Sequence, residues 1–170
     1  MASSGWGRDM GTVLIDNEWL AAELPEGLER MPHDELESFM RFKYDLMWGV
    51  CDSARHMLVC VTWRDSNKLI TKLVSEKFFV KQVNEAFFKR YRDRDYHPSG
   101  FFTHSVAGAS GEAQGLRFSY VADGVAWEGE VLVFKRGIRC YTLCFYTQSG
   151  SAAESRAAYE AILASLEVRQ

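Results

Sequence analysis

Three strand-like segments separated by short turns fill the second half of the chain, and they constrain the fold more than any other feature. The first two, LRFSYVA and VAWEGEVLVF, are joined by Asp123–Gly124. Asp-Gly suits a two-residue type I′ hairpin turn, because that turn needs a positive φ at both central positions. Arg136–Gly137, taken as a second two-residue turn, leads into IRCYTLCFYTQSG. The pattern predicts an antiparallel meander of three neighbouring strands.

Counting outward from these turns predicts which side chains face each other. Counted from the Asp123–Gly124 turn, Phe118 lies opposite Gly129. Counted from the Arg136–Gly137 turn, Cys144 lies opposite Gly129. Alternate residues of a strand share a face, so this register collects apolar side chains on one side of the sheet. They are Phe118, Tyr120, Trp127, Val131, Val133, Cys140, Cys144 and Tyr146.

The four cysteines of the chain are expected to be reduced. Cys140 and Cys144 share a face, but four residues of strand separate them by roughly 13 Å. A disulfide needs Cα atoms within about 7 Å, and one zinc ion cannot take both thiolates. Cys51 and Cys60 flank a second hairpin, and with Ser53–Ala54 as its turn they do not face each other. We therefore interpret Cys140 and Cys144 as small buried hydrophobic residues.

The first half of the chain predicts a hairpin and two helices. HDELESFMRF has apolar residues at helical spacing, which indicates a short helix. LMWGVC and HMLVCVTW form the hairpin, and the second run is apolar on both faces, as a central covered strand is. A long helix runs from Ser75 to about Arg92, because Phe79, Val83 and Phe87 recur every four residues. DSNKLITKLV is ambiguous, because Ile70 and Val74 weaken a helix there.

These segments define the predicted fold class. Residues 12–23 are strand-like, residues 108–115 form a flexible loop, and SAAESRAAYEAILASL closes the chain as a helix. The prediction is an α+β fold with a mostly antiparallel sheet of about six strands, covered by helices on both faces as an α/β/α sandwich. Residues 1–11 are expected to be a loose tail, and residues 12–170 a single domain.

Composition narrows the classes of function. The net charge of -3 argues against general nucleic-acid binding, which needs a basic surface. Val13–Leu14–Ile15 is too short for a signal-peptide core, and no stretch approaches the roughly 20 apolar residues of a spanning helix. We expect a soluble cytoplasmic protein that neither enters a membrane nor binds nucleic acid. No phosphate-binding or dinucleotide motif is present, and we expect no cofactor and no metal.

Glu128 and Glu130 are one candidate for chemistry. They lie on one face about 6.6 Å apart by strand rise, a spacing at which paired carboxylates can perform acid–base catalysis. The predicted register also places Arg117 opposite Glu130. We favour a cross-strand ion pair over catalysis, and we assign no catalytic residue.

RDRDYHP is a second candidate. If extended, it places Asp93, Asp95 and His97 on one side, as metal ligands are placed. The alternative is a solvated helix end where Arg92 and Arg94 balance the aspartates, and we favour that alternative.

Several stretches together resemble a known family. They are ELPEGLERM, LMWGVCDSARHMLVCVTW followed by SNKL, the meander up to Gly150, and YEAILASLEV with its Ile162–Leu166 finish. Over about residues 20–168 they look like the PsbP-like, Mog-type α/β/α sandwich, in a small bacterial member. The resemblance implies a non-catalytic protein, since named members are accessory subunits of photosystem II, binders of a Ran-type GTPase or bacterial lipoproteins. No binding residue of those members matches a position here.

We therefore expect a non-enzymatic binding or accessory protein that acts through a protein partner. Residues proposed to bind are Trp48, Arg55, Phe88 and Tyr91. The alternative is a small-ligand-binding module or small enzyme with a pocket between the long helix and the sheet, lined by Phe78, Phe88 and Tyr91. A homodimer that buries these aromatic side chains is a third possibility, so the chain is expected to be a monomer or a homodimer.

Overall fold

The computed structural model describes residues 11–40 and 46–169. Within these ranges the chain forms ten β-strands and four α-helices. The strands are β1 Thr12–Ile15, β2 Leu20–Glu23, β3 Glu29–Arg30, β4 Met47–Asp52, β5 Met57–Asp65, β6 His97–His104, β7 Ala113–Ala122, β8 Val125–Arg136, β9 Arg139–Gln148 and β10 Glu167–Val168. The helices are α1 His33–Met40, α2 Lys68–Leu73, α3 Glu76–Arg90 and α4 Ala152–Ser165.

The strands form two sheets. The larger has seven strands in the order β3-β4-β5-β9-β8-β7-β6, and the smaller has three in the order β1-β2-β10. Every pair of neighbouring strands is antiparallel. The α+β class and the mostly antiparallel sheet are confirmed, whereas the predicted count of about six strands is too low.

One additional strand is β3, the two-residue segment Glu29–Arg30 that pairs with β4, and the others come from the two ends of the described chain. Residues 12–23 form a hairpin rather than one strand, because Asp16, Asn17 and Glu18 all adopt positive φ, at 54°, 52° and 70°. This turn folds β1 back on β2, and β10 then pairs with β2 after the closing helix. The predicted tail at residues 1–11 lies outside the described residues except for Gly11.

The meander is confirmed, with one correction to its register. Asp123 and Gly124 both have positive φ, and Phe118 lies opposite Gly129 as predicted. The second turn is Gly137–Ile138, not Arg136–Gly137, so Cys144 faces Val131. The pairing shifts by two residues, and an even shift leaves every side chain on its face. The eight side chains assigned to one face all belong to, or pack against, one core cluster.

The second hairpin differs from the prediction in its turn. Ser53–His56 connects β4 to β5, so Cys51 faces Leu58 and Cys60 faces Gly49. His56 takes a positive φ of 49° in this longer turn. On its other edge β5 pairs with β9, which places Cys60 directly opposite Cys144.

Two core clusters occupy alternate side-chain positions of the large sheet. On β5, Val59 belongs to the first cluster, while Leu58 and Cys60 belong to the second. Helix α4 contributes Tyr159 and Ile162 to the first cluster, together with apolar side chains of β1 and β2. Helices α1 and α3 contribute to the second, through Leu36, Met40, Val80 and Phe87.

The helices follow the predicted segments with shorter bounds. Ser75 caps α3, its hydroxyl accepting a hydrogen bond from the Phe78 amide at 3.3 Å, and the helix ends at Arg90 rather than Arg92. The ambiguous segment forms the short helix α2, capped by the Asn67 side chain, which accepts from the Ile70 amide at 2.8 Å. Part of the predicted loop at 108–115 is strand, since β7 begins at Ala113. The predicted end of the first helix, at residues 41–42, lies outside the described residues.

Candidate functional site

A cavity of about 230 Å³ lies between α3 and strands β5 and β9. Its apolar wall comes from successive turns of α3 and from the last residue of α1. These side chains are Met40, Phe79, Val83 and Phe87. A pocket between this helix and the sheet is one of the predicted alternatives, and the structure has a cavity there. Its aromatic wall uses Phe79 and Phe87 rather than the suggested Phe78, Phe88 and Tyr91.

Polar groups also line this cavity. Among the described residues they are Thr62, Arg64, Gln82, Arg90, Thr142 and Tyr146. Arg90 donates a hydrogen bond from Nη2 to the Phe39 carbonyl at 2.8 Å, and the Arg64 guanidinium lies 5.7 Å from the Phe79 ring centre. Neither arginine has a carboxylate within 4.0 Å among residues 11–40 and 46–169.

The hydroxyl of Tyr146 is buried without a hydrogen-bond partner among the described residues. Burial raises the pKa of Tyr91, and the Tyr91 hydroxyl lies close enough to Tyr146 for Tyr146 to oppose that rise, but the two hydroxyls do not form a hydrogen bond of ordinary distance and angle. Burial raises the pKa of Tyr146 well above its usual value, so the group stays protonated and can donate. Leaving such a group unpaired costs about 1–3 kcal/mol.

Three cysteines lie at or beside the cavity floor. Cys140 and Cys144 line it, and Cys60 lies opposite Cys144 with its Sγ 3.6 Å from the Met40 sulfur. A hydrogen bond with Cys144, followed by burial, raises the pKa of Cys60, while burial raises that of Cys140 to about 11. All four cysteines are free thiols, and protonated buried thiols are poor nucleophiles.

Two of the four predicted binding residues are buried. Trp48 lies in the first core cluster with Arg30 over its ring at 5.1 Å, and its Nε1 has no partner among the described residues. Tyr91 stacks on Tyr120 with ring centres 4.2 Å apart. Neither side chain is a surface group in this conformation.

The other two reach the surface. Phe88 is 48% exposed, with its ring edge against Tyr96 at 4.9 Å. Arg55 is held in the β4–β5 turn, where its Nη1 donates to Asp52 at 2.7 Å and to the Glu26 carbonyl at 3.0 Å. The four residues therefore do not converge on one site, and binding by any of them stays a prediction.

Helix α2 exposes a row of apolar side chains. Leu69, Ile70 and Leu73, here named the α2 face, are 66%, 44% and 74% exposed. No residue of α2 is buried. The helix is fixed instead by Lys135, which donates from Nζ to the Thr71 and Val74 carbonyls at 3.0 and 2.8 Å. The sequence pattern did not reveal this face, because Ile70 and Val74 leave the segment undecided between helix and other structure.

A polar junction joins the small sheet to the large one. Asp16 accepts two hydrogen bonds from Nη1 of Arg139, at 2.9 and 2.8 Å, and one from the Tyr141 hydroxyl at 2.8 Å. Arg139 also donates to Asp65 at 2.7 and 3.1 Å, and its guanidinium lies 4.6 Å from the Trp19 ring centre. Asp16 is nearly inaccessible, so these partners compensate the cost of burying its charge.

The carboxylate pair on β8 is also held by arginines. Arg117 lies opposite Glu130 with Nε 3.2 Å from Oε2, as the register predicted. Arg156 of α4 reaches both carboxylates, at 3.1 Å from Glu128 and 3.5 Å from Glu130. This arrangement favours the ion-pair interpretation over acid–base catalysis.

The aspartate–histidine stretch is a surface turn that leads into the first residue of β6, His97. His97 Nε2 lies 2.8 Å from Asp95 Oδ1, and both side chains are exposed. Among the described residues, no group of three or more histidine, cysteine, aspartate or glutamate side chains is arranged to hold a metal ion.

Comparison with known proteins places the fold. The chain resembles the solution structure of cyanobacterial PsbP (CyanoP) from Synechocystis, with a TM-score of 0.66 and 14% identity, over 99% of this chain and 98% of that one. It has a PsbP-like fold. LpqN, involved in cell envelope biogenesis of Mycobacterium tuberculosis, matches with a TM-score of 0.58 and 12% identity, over 89% of this chain and 83% of LpqN. A Bacteroides thetaiotaomicron structure matches with a TM-score of 0.57 and 9% identity, over 94% of this chain and 48% of that one.

Sequence comparisons give no corresponding family. No family model and no curated protein matches the chain. The likeness to CyanoP and LpqN therefore shows the fold and not an activity. In the described part of the chain, no helix has both the length and the apolar character needed to cross a membrane.

Proposed function

We propose that this chain is a non-enzymatic binding or accessory protein that acts through a protein partner, and that the partner docks on the α2 face. The exposure of Leu69 and Leu73 carries the proposal. Contiguous exposed apolar side chains commonly mark protein interaction sites. Because Lys135 holds α2 through its backbone, the apolar side chains of the helix are free to contact a partner.

The charge around the α2 face specifies the partner further. Lys68, Lys72 and Lys77 are exposed on α2 and at the start of α3. We infer a partner segment with apolar side chains flanked by carboxylates. The attraction between these lysines and the carboxylates of the partner accelerates association and makes the affinity fall as the salt concentration rises.

The finer assignments of fold and location belong to the same proposal. We propose that α4 on one side, with α1 and α3 on the other, makes residues 12–170 a single PsbP-like α/β/α sandwich. We also propose a cytoplasmic location and action without nucleic acid or membrane. Cell fractionation of the native host tests the location.

Affinity capture with charged substitutions tests the docking surface. The test variant carries Leu69→Glu and Leu73→Glu, and the matched control carries Leu14→Glu, at an apolar residue that is 44% exposed on β1. We expect a host protein that wild type and control retain equally and that the test variant loses by about tenfold or more. Equal retention by all three proteins would remove the proposal. Light scattering that shows a wild-type dimer lost in the test variant would instead identify a second copy as the occupant.

A small-ligand role is the second candidate function. The cavity between α3 and the sheet favours it, because apolar walls with a few polar groups are typical of ligand sites. It is independent of the α2 face, so either function can fail without the other.

A further inference from the structure

We propose that the cavity between α3 and the sheet binds a small organic anion with an apolar body, for which a monocyclic aromatic carboxylate has the right size and chemistry. This inference rests on the second candidate function and adds the class of ligand to it.

The size of the cavity sets the size of the body. A buried apolar cavity of about 150 Å³ accepts benzene. The present cavity is larger, at about 230 Å³. It therefore has space for one aromatic ring and a short polar group. Phe79, Val83 and Phe87 supply the apolar contacts for the ring.

The charged side chains that line the cavity determine the sign of the charge that a ligand should carry. Arg64 and Arg90 line it, and no aspartate or glutamate does among the described residues. Arg90 uses Nη2 on the Phe39 carbonyl, and its Nε and Nη1 have no hydrogen-bond partner in the part of the chain that the structure describes. A guanidinium with free donors binds a carboxylate through charge-assisted hydrogen bonds.

The Tyr146 hydroxyl is the second, independent observation. It belongs to a residue with no exposed surface, lines the cavity and has no partner among the described residues. A carboxylate oxygen is an acceptor that satisfies it once the lining side chains shift, because in the ligand-free conformation the hydroxyl is inaccessible to a water molecule. Arg90 and Tyr146 line the same cavity. An apolar ligand without an acceptor leaves the hydroxyl unpaired, so the polar group of the ligand must include an acceptor, which a carboxylate supplies.

Binding of phenylacetate, with its neutral amide as the paired probe, tests the inference. Titration calorimetry gives the affinity, and amide NMR shifts at Thr62 and Thr142, which line the cavity, give the location. We expect phenylacetate to bind with a Kd of about 0.1 mM or tighter, as the efficiency of small ligands allows. Phenylacetamide is expected to bind at least about tenfold more weakly than phenylacetate.

Three variants assign the contacts. Arg90→Gln is expected to weaken phenylacetate binding about tenfold, whereas Arg92→Gln, an exposed arginine outside the cavity lining, leaves it within twofold. Tyr146→Phe preserves the shape of the cavity and is expected to weaken binding several-fold. It keeps the test decisive if Arg90→Gln does not fold.

The outcomes distinguish a failure of the proposed anion class from a failure of the small-ligand function itself. Equal affinities for the acid and the amide, or an unchanged affinity in Arg90→Gln, would overturn the anion class and leave a neutral ligand site. Absence of binding by both probes at millimolar concentration would overturn the ligand function as well. Shifts outside the cavity would contradict the location. The affinity-capture experiment on the α2 face is independent of all these outcomes.

Discussion

Tyr141 and Tyr146 lie on the same strand, are both fully buried, and belong to opposite core clusters. The hydroxyl of Tyr141 donates to Asp16 in the polar junction, whereas that of Tyr146 has no partner among the described residues. Burial raises the pKa of both phenols, so both are donors at neutral pH.

The arginines of the two regions show the same contrast. Arg139 in the junction bonds two carboxylates and covers the Trp19 ring, and hydrogen bonding to Asp65, then to Asp16, raises its pKa. Arg90 beside the cavity bonds one backbone carbonyl, and its guanidinium lies 5.3 Å from the Tyr91 ring centre, with no carboxylate within 4.0 Å among the described residues. The difference teaches that the same residue types serve stability where they pair and are available for binding where they do not.

The largest effect is expected from Asp16→Ala. The substitution leaves Arg139 and the buried Tyr141 hydroxyl without their shared acceptor. Breaking a buried pair from one side costs about 3–5 kcal/mol. Urea denaturation should show a loss of that size in the free energy of unfolding. A loss below about 1 kcal/mol, the range of exposed ion pairs, would contradict the structural role of the junction.

Lys135→Met extends the comparison to α2. It removes two charge-assisted hydrogen bonds to the carbonyls of Thr71 and Val74, and an ion pair with Glu76 at the start of α3, 3.8 Å away. We expect a loss of about 2–3 kcal/mol, with the largest increase in hydrogen exchange in α2. The exposed Lys72→Met is the control and should change stability by less than about 0.5 kcal/mol. Unchanged exchange in α2 would mean that something other than Lys135 holds the helix.

The smallest effect is expected from Asp65→Asn, and it depends on pH. The hydrogen bond from Arg139 lowers the pKa of Asp65 below its ordinary 3.8. A lowered folded pKa adds stability above the unfolded pKa, and that stability is lost as pH falls through the folded pKa. Asp65 is 47% exposed, so the contribution is below about 1 kcal/mol. The difference between wild type and Asp65→Asn should therefore shrink below about pH 4. A constant difference at all pH values would show that charge is not the cause.

Local sequence patterns could predict the meander because its turns and strands are contiguous. The Asp123–Gly124 turn fixes the pairing of β7 with β8. In β9 the pairing shifts by two residues, which leaves each side chain on its predicted face of the sheet. Gly137 carried a signal that could have placed the second turn, since Gly at the first central position favours a type II′ turn. Its φ of 58° agrees with that position.

Long-range contacts account for what the sequence did not reveal. Asp16 and Arg139 are 123 residues apart, and nothing near either residue indicates the pairing. Cys60 meets Cys144 only because β5 is the neighbour of β9, which the hairpin pattern does not specify. The sequence pattern suggested a pocket beside α3, but its polar lining depends on the rotation of α3 over the sheet.

Unfolding of Tyr141→Phe and Tyr146→Phe, measured side by side, tests most directly the claim that the paired Tyr141 hydroxyl stabilises this fold while the unpaired Tyr146 hydroxyl is available to a ligand. Removing the Tyr141 hydroxyl breaks a bond to a carboxylate, so a loss of about 1.5–3 kcal/mol is predicted. Removing the Tyr146 hydroxyl takes away an unsatisfied group, so unchanged stability or a gain of up to about 1 kcal/mol is predicted. Equal losses in the two variants would show that the Tyr146 hydroxyl is already satisfied in the free protein, and would contradict the account.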